Sequence, residues 1–416
     1  MIDLKRLRQD PDGSRASLLR RLDPSVGPLL DALLELDRQR RELLVQSESL
    51  KAERNAATEE VARRKRAKVP ADELMARLKA SGEEVKALDG RLRDIETALE
   101  QRALALPNFP APDTPDGDGT ANRVVRTWGQ APRFDFTPRP HWELGAALGI
   151  LDLPTGARIA GSGFPLFRGD GARLIRALAA FMLDLHSREH GYQEVAPPYL
   201  VNRATLTGTG QLPKFEEDLY AVPSDDLFLL PTAEVPVTNI HRDEILDASE
   251  LPRGYCAWTP CFRREAGAHG KDTRGLIRVH QFDKVELVRF CRPEDSDAEH
   301  ERMTRHAETV LQRLEIPYRV VELAAGDTGF ASARTFDLEV WAAGVGTWLE
   351  ASSSSTFADF QARRANIRYR PEPKAKPDFV HTLNASGVAF PRTIIALLEN
   401  NQAADGSVRV PAALVP

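Results

Sequence analysis

The chain is poor in cysteine, and its three cysteines, Cys256, Cys261 and Cys291, do not have the spacing of a disulfide framework. An odd, small number of this kind is typical of proteins from a reducing compartment. Their spacing, taken with His269 or His280, matches no common zinc pattern either. The sequence therefore favours neither a disulfide-stabilised secreted domain nor a zinc module.

Long apolar runs are also missing. The N-terminal stretch "MIDLKRLRQDPDG" contains three aspartates and lacks the apolar core of a signal peptide. The most apolar internal run, "ALAAFML" at 177–183, is far too short to cross a bilayer. We therefore expect a cytoplasmic protein without a membrane segment.

Glycine fingerprints of the Rossmann or P-loop type are absent, so a nucleotide would have to bind in another way. The formal net charge of −5 argues against wholesale wrapping of nucleic acid but leaves room for a local basic surface. With 416 residues, 42% hydrophobic and 28% charged, the chain has the balance of a folded protein of two or three domains.

Residues 27–104 carry a seven-residue apolar repeat on a charged background, which is typical of a coiled coil. The break "AKVPADE" contains Pro70, which cannot continue the first helix but suits the first turn of a second. We therefore predict an antiparallel helical hairpin. Its repeat positions are Leu29, Leu36, Leu43, Leu50 and Ala57, then Val85, Leu88, Leu92, Ile95 and Leu99.

The hairpin fits two functions that charge alone does not separate, an oligomerisation stalk and a nucleic-acid-binding arm. The tip sequence "ARRKRAK" at 62–68 places five cations together and suits the second. After the hairpin, "LPNFPAPDTPDGDGTAN" is dense in proline, aspartate and glycine and reads as a linker. We expect an arm over 1–105, a linker over 106–122 and a second domain over 123–416.

The second domain has the pattern of an α+β fold built on an antiparallel sheet, because hairpin-linked strands alternate with flanking helices. A helix is predicted over 171–189 and another over 391–403, with Pro391 in the first turn of the latter. The predicted strands are 255–265, 276–290, 318–323, 335–341 and 346–355.

The hairpin of the first two predicted strands has one chemically rich face, because alternate strand residues point to opposite sides. The rich face comprises Thr259, Cys261, Arg263, Glu265, Arg278, His280, Phe282, Lys284 and Glu286. The opposite face is apolar and comprises Trp258, Pro260, Phe262, Ile277, Val279, Val285 and Leu287. The connecting loop adds Lys271 and Arg274. An aromatic flanked by cations suits a base platform beside phosphate clamps, but a solvated ribbon stays open as the alternative.

Three further stretches favour the nucleotide interpretation. Glu339 and Glu350, the latter followed by four serines, offer oxygen ligands for Mg²⁺. Thr232 and Glu234 lie two residues apart and would share a face in an extended segment. Arg392 lies near the start of a predicted helix, where an anion is favoured.

These segments resemble the motifs of a known enzyme class. "FRRE" followed by "GLIRVHQFDKVE" is similar to motif 2 of class II aminoacyl-tRNA synthetases, and "GVAFPRTIIALLEN" to motif 3. "GYQEVAPPYLVN" resembles motif 1, with Pro198 at the position of its proline. "GTGQLPKFEEDLY", "PTAEVPVTN", "FQARRANIRYR" and the N-terminal hairpin narrow the resemblance to the bacterial type of seryl-tRNA synthetase. One departure is that "SSSSTF" lacks the cysteine common in that family.

The resemblance implies a class II catalytic domain of α+β type on an antiparallel sheet, with an N-terminal antiparallel coiled-coil arm. It implies activation of L-serine with ATP and Mg²⁺ to seryl-adenylate, then transfer of serine to the 3′ end of tRNA(Ser). The acceptor tRNA(Sec) stays open as a second substrate. A homodimer is implied as well.

The resemblance also implies roles for individual residues, with Arg263, Glu286 and Arg392 as the catalytic set. The serine site would comprise Thr232, Ala233, Glu234, Arg263, Glu286 and Ser386. The ATP site would comprise Arg263, Arg264, Glu265, Val279, Phe282, Glu350, Ala351, Ser352, Ser353 and Arg392. Magnesium would be held by Glu350 and Ser353.

Two other functions remain as alternatives. A serine-activating paralogue could load a carrier protein or serve an antibiotic pathway, although such paralogues usually lack the arm. A non-catalytic tRNA-binding protein would be expected to lose Arg263, Glu286, Glu350 or Arg392, and all four are present.

Overall fold

The computed structural model describes residues 1–266 and 274–415. The described chain divides into two units, one made of Ile2–Leu19 and Asp23–Pro107, the other of the chain from Asn108 onward with Met1 and Arg20–Leu22. No helix within the described ranges is both long and apolar enough to span a membrane. The helices are α1 (Leu4–Gln9), α2 (Pro11–Leu19), α3 (Val26–Arg66), α4 (Asp72–Ala105), α5 (His141–Ala147), α6 (Leu153–Ala160), α7 (Asp170–Asp184), α8 (Arg203–Thr209), α9 (Glu234–Thr238), α10 (Ser296–Arg313), α11 (Phe360–Ala365) and α12 (Phe390–Asn400).

All of the described strands belong to the unit that begins at Asn108, since each lies after residue 122. In chain order the strands are β1 (Arg123–Trp128), β2 (Gln193–Glu194), β3 (Leu200–Asn202), β4 (Ala221–Val222), β5 (Leu227–Leu229), β6 (Ile245–Asp247), β7 (Arg253–Phe262), β8 (Gln281–Cys291), β9 (Tyr318–Glu322), β10 (Arg334–Ala342), β11 (Thr347–Thr356), β12 (Arg368–Arg370), β13 (Asp378–Phe379) and β14 (His381–Ala389).

The first unit contains the predicted helical hairpin, formed by α3 and α4. Ion pairs between the helices join Arg40 to Glu96 at 2.9 Å and Lys51 to Asp89 at 2.9 Å, so residue numbers rise on one helix as they fall on the other. The antiparallel coiled-coil arm is therefore confirmed. The buried seam is Val26, Leu30, Leu33, Asp37, Leu43, Ser47 and Val61 on α3, and Val85, Leu88, Leu99 and Ala103 on α4.

Two details of the arm differ from the prediction. Leu43 is buried in the seam, but Leu29, Leu36 and Leu50 are only half-buried because the contact line runs one position away from them. Pro70 lies two residues before α4 and not in its first turn, because the preceding cap residue Ala71 has a non-helical φ of −135° and the helix begins only at Asp72. The short helices α1 and α2 carry no repeat and were not predicted.

The second unit is built on an eight-stranded sheet in the order β1-β9-β10-β11-β14-β8-β7-β2. All neighbouring pairs are antiparallel except β2 with β7, which confirms the predicted fold class. Helices α7, α10 and α12 pack on this sheet. The core between them includes Leu178, Met182, Val310, Leu311, Val320, Val340, Ile394 and Ile395.

The two strands of the central hairpin are shorter than predicted. Strand β7 ends at Phe262, and Glu265 adopts a left-handed φ of 52°. Strand β8 begins only at Gln281, because Gly275 has a φ of 70° and residues 274–280 form turns. Arg278 therefore lies outside the strand, and alternation along β8 does not determine the direction of its side chain.

Within the paired region the predicted parity is correct, but the burial of the two faces is not. Cys261 pairs with Phe282 and Thr259 pairs with Lys284, so these four side chains share one face. Thr259 and Cys261 are fully buried on it. On the supposedly apolar face Trp258 is 37% exposed, and its indole donates a hydrogen bond to the Asp283 carboxylate at 2.9 Å. The rich face is thus an internal wall rather than a surface.

The segment predicted as a linker is partly held by the second unit. Asn108 donates its backbone N–H to Phe330 O at 2.9 Å, and its side-chain amide donates to Ala331 O and Phe357 O. Ala111 donates its N–H to Ala333 O at 2.8 Å. These bonds fix the chain where it enters the unit that contains the sheet.

Candidate active site

Two adjoining cavities open on the rich face of the sheet. The larger has a volume of about 580 Å³, and the smaller, of about 80 Å³, extends from it toward the start of α12. Six charged or polar residues line both of them, namely Arg263, Glu265, Arg278, Lys284, Glu350 and Ser386. The shared lining means that ligands in the two cavities would meet at these side chains.

One end of the larger cavity carries a buried carboxylate. Glu234, the first residue of α9, is 7% exposed and accepts a hydrogen bond from Gln361 Nε2 at 2.6 Å. Burial, reinforced by the charge of Glu286, raises the pKa of Glu234 to about 7. Thr232 places its hydroxyl next to it, where the hydroxyl accepts from the Glu234 backbone N–H at 3.3 Å. This end of the cavity suits a cation, because a positive charge beside Glu234 would favour the ionised form of its carboxyl.

A second buried carboxylate lies behind the cavity wall. Glu286 is 1% exposed, and its oxygens contact Lys284 Nζ at 2.5 Å and Asn384 Nδ2 at 2.8 Å. Burial raises the pKa of Glu286 despite the neighbouring ammonium of Lys284. Lys284 also donates to the Thr232 hydroxyl at 2.9 Å. Lys284 and Asn384 line the cavity and Glu286 does not, so Glu286 influences a ligand there by positioning these two side chains.

Arg263 lies where the two cavities join. Its Nε donates to Pro231 O at 3.3 Å, and its guanidinium lies 5.2 Å from the centre of the Phe282 ring. Phe282 lines the smaller cavity together with Val279. A guanidinium held by one backbone bond keeps other N–H groups for an anion, and the aromatic ring beside it offers a stacking surface.

The far end of the smaller cavity combines Arg392 with Glu350. Arg392, in the first turn of α12, donates Nη1 to Glu350 O at 2.6 Å, and the same nitrogen lies 3.5 Å from the Glu350 carboxylate. Arg278 pairs with Glu265 at the boundary between the cavities. Three arginines therefore surround a small volume, an arrangement suited to a polyphosphate.

Oxygen atoms suited to a divalent cation lie on β10 and β11. Glu350 and Ser353 line the larger cavity, and Ser353 pairs in register with Asp337 on the neighbouring strand. Asp337 is 8% exposed, and its Oδ1 has no hydrogen-bond partner among the described residues. Carboxylate and hydroxyl oxygens with spare acceptor capacity fit Mg²⁺. In the described ranges no group of three His, Cys, Asp or Glu side chains could hold a metal by itself, so ligand oxygens would have to complete the shell.

Several residues proposed from sequence lie away from the cavities. Ala233 is fully buried in a neighbouring core cluster, and Arg264 is exposed because β7 has ended before it. Ser352 donates its hydroxyl to Ser386 O at 2.6 Å instead of facing the cavity. Glu339 pairs with Arg319, which lies directly opposite it on β9. Lys271 lies outside the described residues.

Apart from Glu286, which lies behind the wall of the larger cavity, the remaining proposed residues line a cavity. Thr232, Glu234 and Ser353 line the larger one, and Val279, Phe282, Ala351 and Arg392 line the smaller one. Arg263, Glu265, Glu350 and Ser386 line both.

Four polar residues of the site were not assigned a role from sequence. Lys284 and Arg278 were placed on the rich face without one, although a lysine between Phe282 and Glu286 could have suggested it. Asn384 belongs to β14, a strand that was not predicted, and Gln361 belongs to α11. Nothing in their local sequence indicates a contact with Glu286 or Glu234, because both contacts link distant parts of the chain.

The fold and the site together define a class II aminoacyl-tRNA synthetase. The profile of the tRNA synthetase class II core domain (G, H, P, S and T) matches residues 215–401, and that of the seryl-tRNA synthetase N-terminal domain matches residues 1–110. The chain is 57% identical to the serine–tRNA ligase of Gemmatimonas aurantiaca over 417 residues, covering 100% of this chain and 98% of that protein. It belongs to the seryl-tRNA synthetase family.

Solved structures agree with this membership. Seryl-tRNA synthetase from Pyrococcus horikoshii, complexed with ATP, superposes with a TM-score of 0.95 at 37% identity, covering 100% of this chain and 97% of that one. The cytoplasmic serine–tRNA ligase of Naegleria fowleri, in complex with AMP, superposes with a TM-score of 0.87 at 28% identity, covering 97% and 94%.

Proposed function

We propose that this serine–tRNA ligase condenses L-serine with ATP in the two adjoining cavities and then transfers the seryl group to tRNA(Ser). Serine would occupy the larger cavity. The adenosine and the phosphates of ATP would occupy the smaller cavity and the residues at its opening. The observation that carries the proposal is the position of Arg263 between a cavity with buried carboxylates and a cavity surrounded by arginines.

The serine subsite would use Glu234 and Thr232 for the ammonium group. Glu234 is held by Gln361, and its raised pKa keeps part of it protonated near neutral pH. An ammonium group within contact distance would favour the ionised carboxylate over the protonated carboxyl. The side-chain hydroxyl of serine would be read by Ser386 and by Glu286 with its partners Lys284 and Asn384. Alanine would leave these buried polar groups unpaired, which permits strong rejection by binding alone.

The ATP subsite would place adenine on Phe282 and the phosphates between Arg263, Arg278 and Arg392. The serine carboxylate attacks the α-phosphorus, its oxygen–phosphorus bond forms and the bond to pyrophosphate breaks. Arg263 would neutralise charge that develops on the α-phosphate, because it is already fixed by Pro231 O and needs little reorganisation. No protein nucleophile is required, since positioning and electrostatics suffice.

Magnesium would be held by Glu350 and Ser353, with the spare oxygen of Asp337 beside them. The ion would supply charge neutralisation between the phosphate groups when bound. The protein's own contribution is to hold Ser353 opposite Asp337 in the β10–β11 register and to keep Glu350 next to Arg392.

In the second step a ribose hydroxyl at the 3′ end of the tRNA attacks the seryl carbonyl, and AMP leaves. The arm formed by α3 and α4 would grip the tRNA through backbone contacts, for which the exposed cations at 63–66 are suited. We include tRNA(Sec) as a second acceptor to be tested by charging the purified transcript. A cytoplasmic location, supported by three free buried cysteines, is part of the same proposal.

A homodimer is also part of the proposal. The segment that resembles motif 1 contains Tyr199 and Leu200, which are 47% and 44% exposed in the single chain. Adjacent large apolar side chains at the surface are typical of an interface. Light scattering after gel filtration should give twice the mass of the 46.1 kDa chain.

The pocket assignment is tested by ATP–pyrophosphate exchange with serine, threonine and alanine. We expect exchange with serine, and far weaker exchange with threonine, whose extra methyl must be excluded, and with alanine, which lacks the hydroxyl. Equal exchange with alanine would refute the assignment of Glu286 and Ser386.

A further inference from the structure

A fully buried histidine–glutamate pair lies outside the two cavities. Glu399, near the end of α12, accepts from the His141 backbone N–H at 2.9 Å and from His141 Nδ1 at 2.7 Å. Its other oxygen accepts from the backbone N–H groups of Gly344 and Val345 at 2.7 and 3.0 Å. Both members of the pair are 0% exposed. Four donors thus satisfy one carboxylate, which holds α5, α12 and the β10–β11 turn together.

The second ring nitrogen of His141 is also used. His141 Nε2 accepts a hydrogen bond from the Leu276 backbone N–H at 2.9 Å. Because an imidazole that accepts at Nε2 must carry its proton at Nδ1, the contacts to Glu399 and Leu276 are compatible only with the neutral Nδ1–H tautomer. Gly275 leaves no space for a side chain here, since a Cβ on it would lie 2.1 Å from Nε2.

The residues beyond this contact belong to the proposed nucleotide subsite. Leu276, Ile277 and Val279 line the smaller cavity, and Arg392 lines it from α12. Arg392 Nε donates to Ile277 O at 3.4 Å. Helix α12 therefore contacts the 276–280 segment at two places, directly through Arg392 and indirectly from Glu399 through His141.

We propose that His141 is a positioning residue for ATP, which rests on the proposed function of the smaller cavity. Oriented by Glu399, its ring fixes the Leu276 N–H and so sets the backbone of 276–279 at a defined distance from Arg392. His141 and Glu399 themselves line neither cavity, and Leu276 lines only the smaller one, away from the serine subsite. Its loss should therefore weaken the use of ATP while leaving the use of serine nearly unchanged.

Two variants separate positioning from general stability. His141→Asn keeps an amide near the place of Nδ1 for Glu399 but has no acceptor that reaches Leu276. His141→Gln puts an amide oxygen near the place of Nε2 and can accept from Leu276. His306→Asn is the matched control, because that ring bonds the Tyr192 hydroxyl and lines neither cavity.

The measurement is the KM for ATP and for serine in pyrophosphate exchange, together with the melting temperature of each full-length variant. We expect His141→Asn to raise the KM for ATP roughly ten-fold, the scale of one lost buried hydrogen bond, with the KM for serine within about two-fold. His141→Gln should recover most of the loss, and His306→Asn should leave both KM values unchanged. Equal KM values for ATP in the two His141 variants, or a parallel rise in both substrates, would overturn the proposal.

A second measurement needs no variant. ¹⁵N-histidine spectra of the wild-type chain, with His141 assigned by its absence in whichever variant folds, should show the neutral Nδ1–H tautomer. A protonated ring or the Nε2–H tautomer would contradict the bond to Leu276. If the wild type shows no exchange with ATP, the proposed function fails. If it shows normal exchange and His141→Asn does not change the KM for ATP, only the positioning role fails.

Discussion

Replacing Glu234 by glutamine should stabilise the protein and disable it at the same time. Burial raises the pKa of Glu234 from its ordinary 4.5 to about 7. The folded chain therefore holds this proton more tightly than the unfolded chain, and stability is lost as the pH rises between these two values. The shift corresponds to roughly 3 kcal/mol of unfolding free energy at pH 8. Glutamine keeps the shape and the acceptor for Gln361 without the charge.

The assay is urea unfolding of wild type and Glu234→Gln at several pH values without serine. The two proteins should be equally stable near pH 4, below the pKa of the unfolded carboxyl, and the variant should become more stable by up to about 3 kcal/mol at pH 8. In pyrophosphate exchange the variant should lose about 10²–10³ in kcat/KM for serine, because an ammonium would meet a neutral amide. A stability difference that does not change with pH, or a less stable variant at pH 8, would show that Glu234 does not hold a proton near neutral pH in the folded chain.

The same ionisation predicts a pH dependence for the wild type. Below pH 7 the binding of serine must displace the proton from Glu234, so the KM for serine should rise by about ten-fold per pH unit. The KM for ATP should not follow this slope. A KM for serine that stays constant from pH 8 to pH 5.5 would contradict the role of Glu234.

Three further predictions concern other parts of the molecule. Arg263→Ala should lower adenylate formation by about 10²–10³, whereas Arg264→Ala should cost much less because that side chain is exposed and lines neither cavity; equal losses would refute the assignment. Glu350→Gln should raise the Mg²⁺ concentration for half-maximal exchange by about ten-fold or more, and an unchanged requirement would exclude it as a ligand. Deleting 27–104 should leave serine activation nearly intact and abolish tRNA charging, measured side by side; retained charging would make the arm a stalk.

The arm and most of the sheet could be predicted because their patterns are local. The 3,4 spacing on α4 and the alternation along β7 and β8 are properties of short segments. Strand β14 was missed because it lies inside the sheet between β11 and β8, where burial of both faces removes the alternation. The end of β7 and the start of β8 were also predicted wrongly, because the chain changes direction at Glu265 and Gly275, which adopt left-handed conformations.

Strand alternation predicted only the part of the site that one hairpin supplies, and the family motifs supplied the other proposed residues. Phe282 and Glu286 follow from alternation along β8, whereas Arg263 lies just beyond the end of β7 and follows from the family motifs. The contacts of Glu286 with Asn384 and of Glu234 with Gln361 join residues 98 and 127 positions apart, so no local pattern can reveal them. The raised pKa of Glu234 likewise arises from burial by the folded chain.

The assignment of serine activation and tRNA charging is checked in one experiment, ATP–pyrophosphate exchange with each of the twenty standard amino acids, followed by charging of total tRNA with the amino acid that exchanges. This assignment predicts Mg²⁺-dependent exchange with serine alone and transfer of serine to the serine tRNAs. Exchange led by another amino acid, or serine activation without any tRNA charging by the full-length chain, would contradict it.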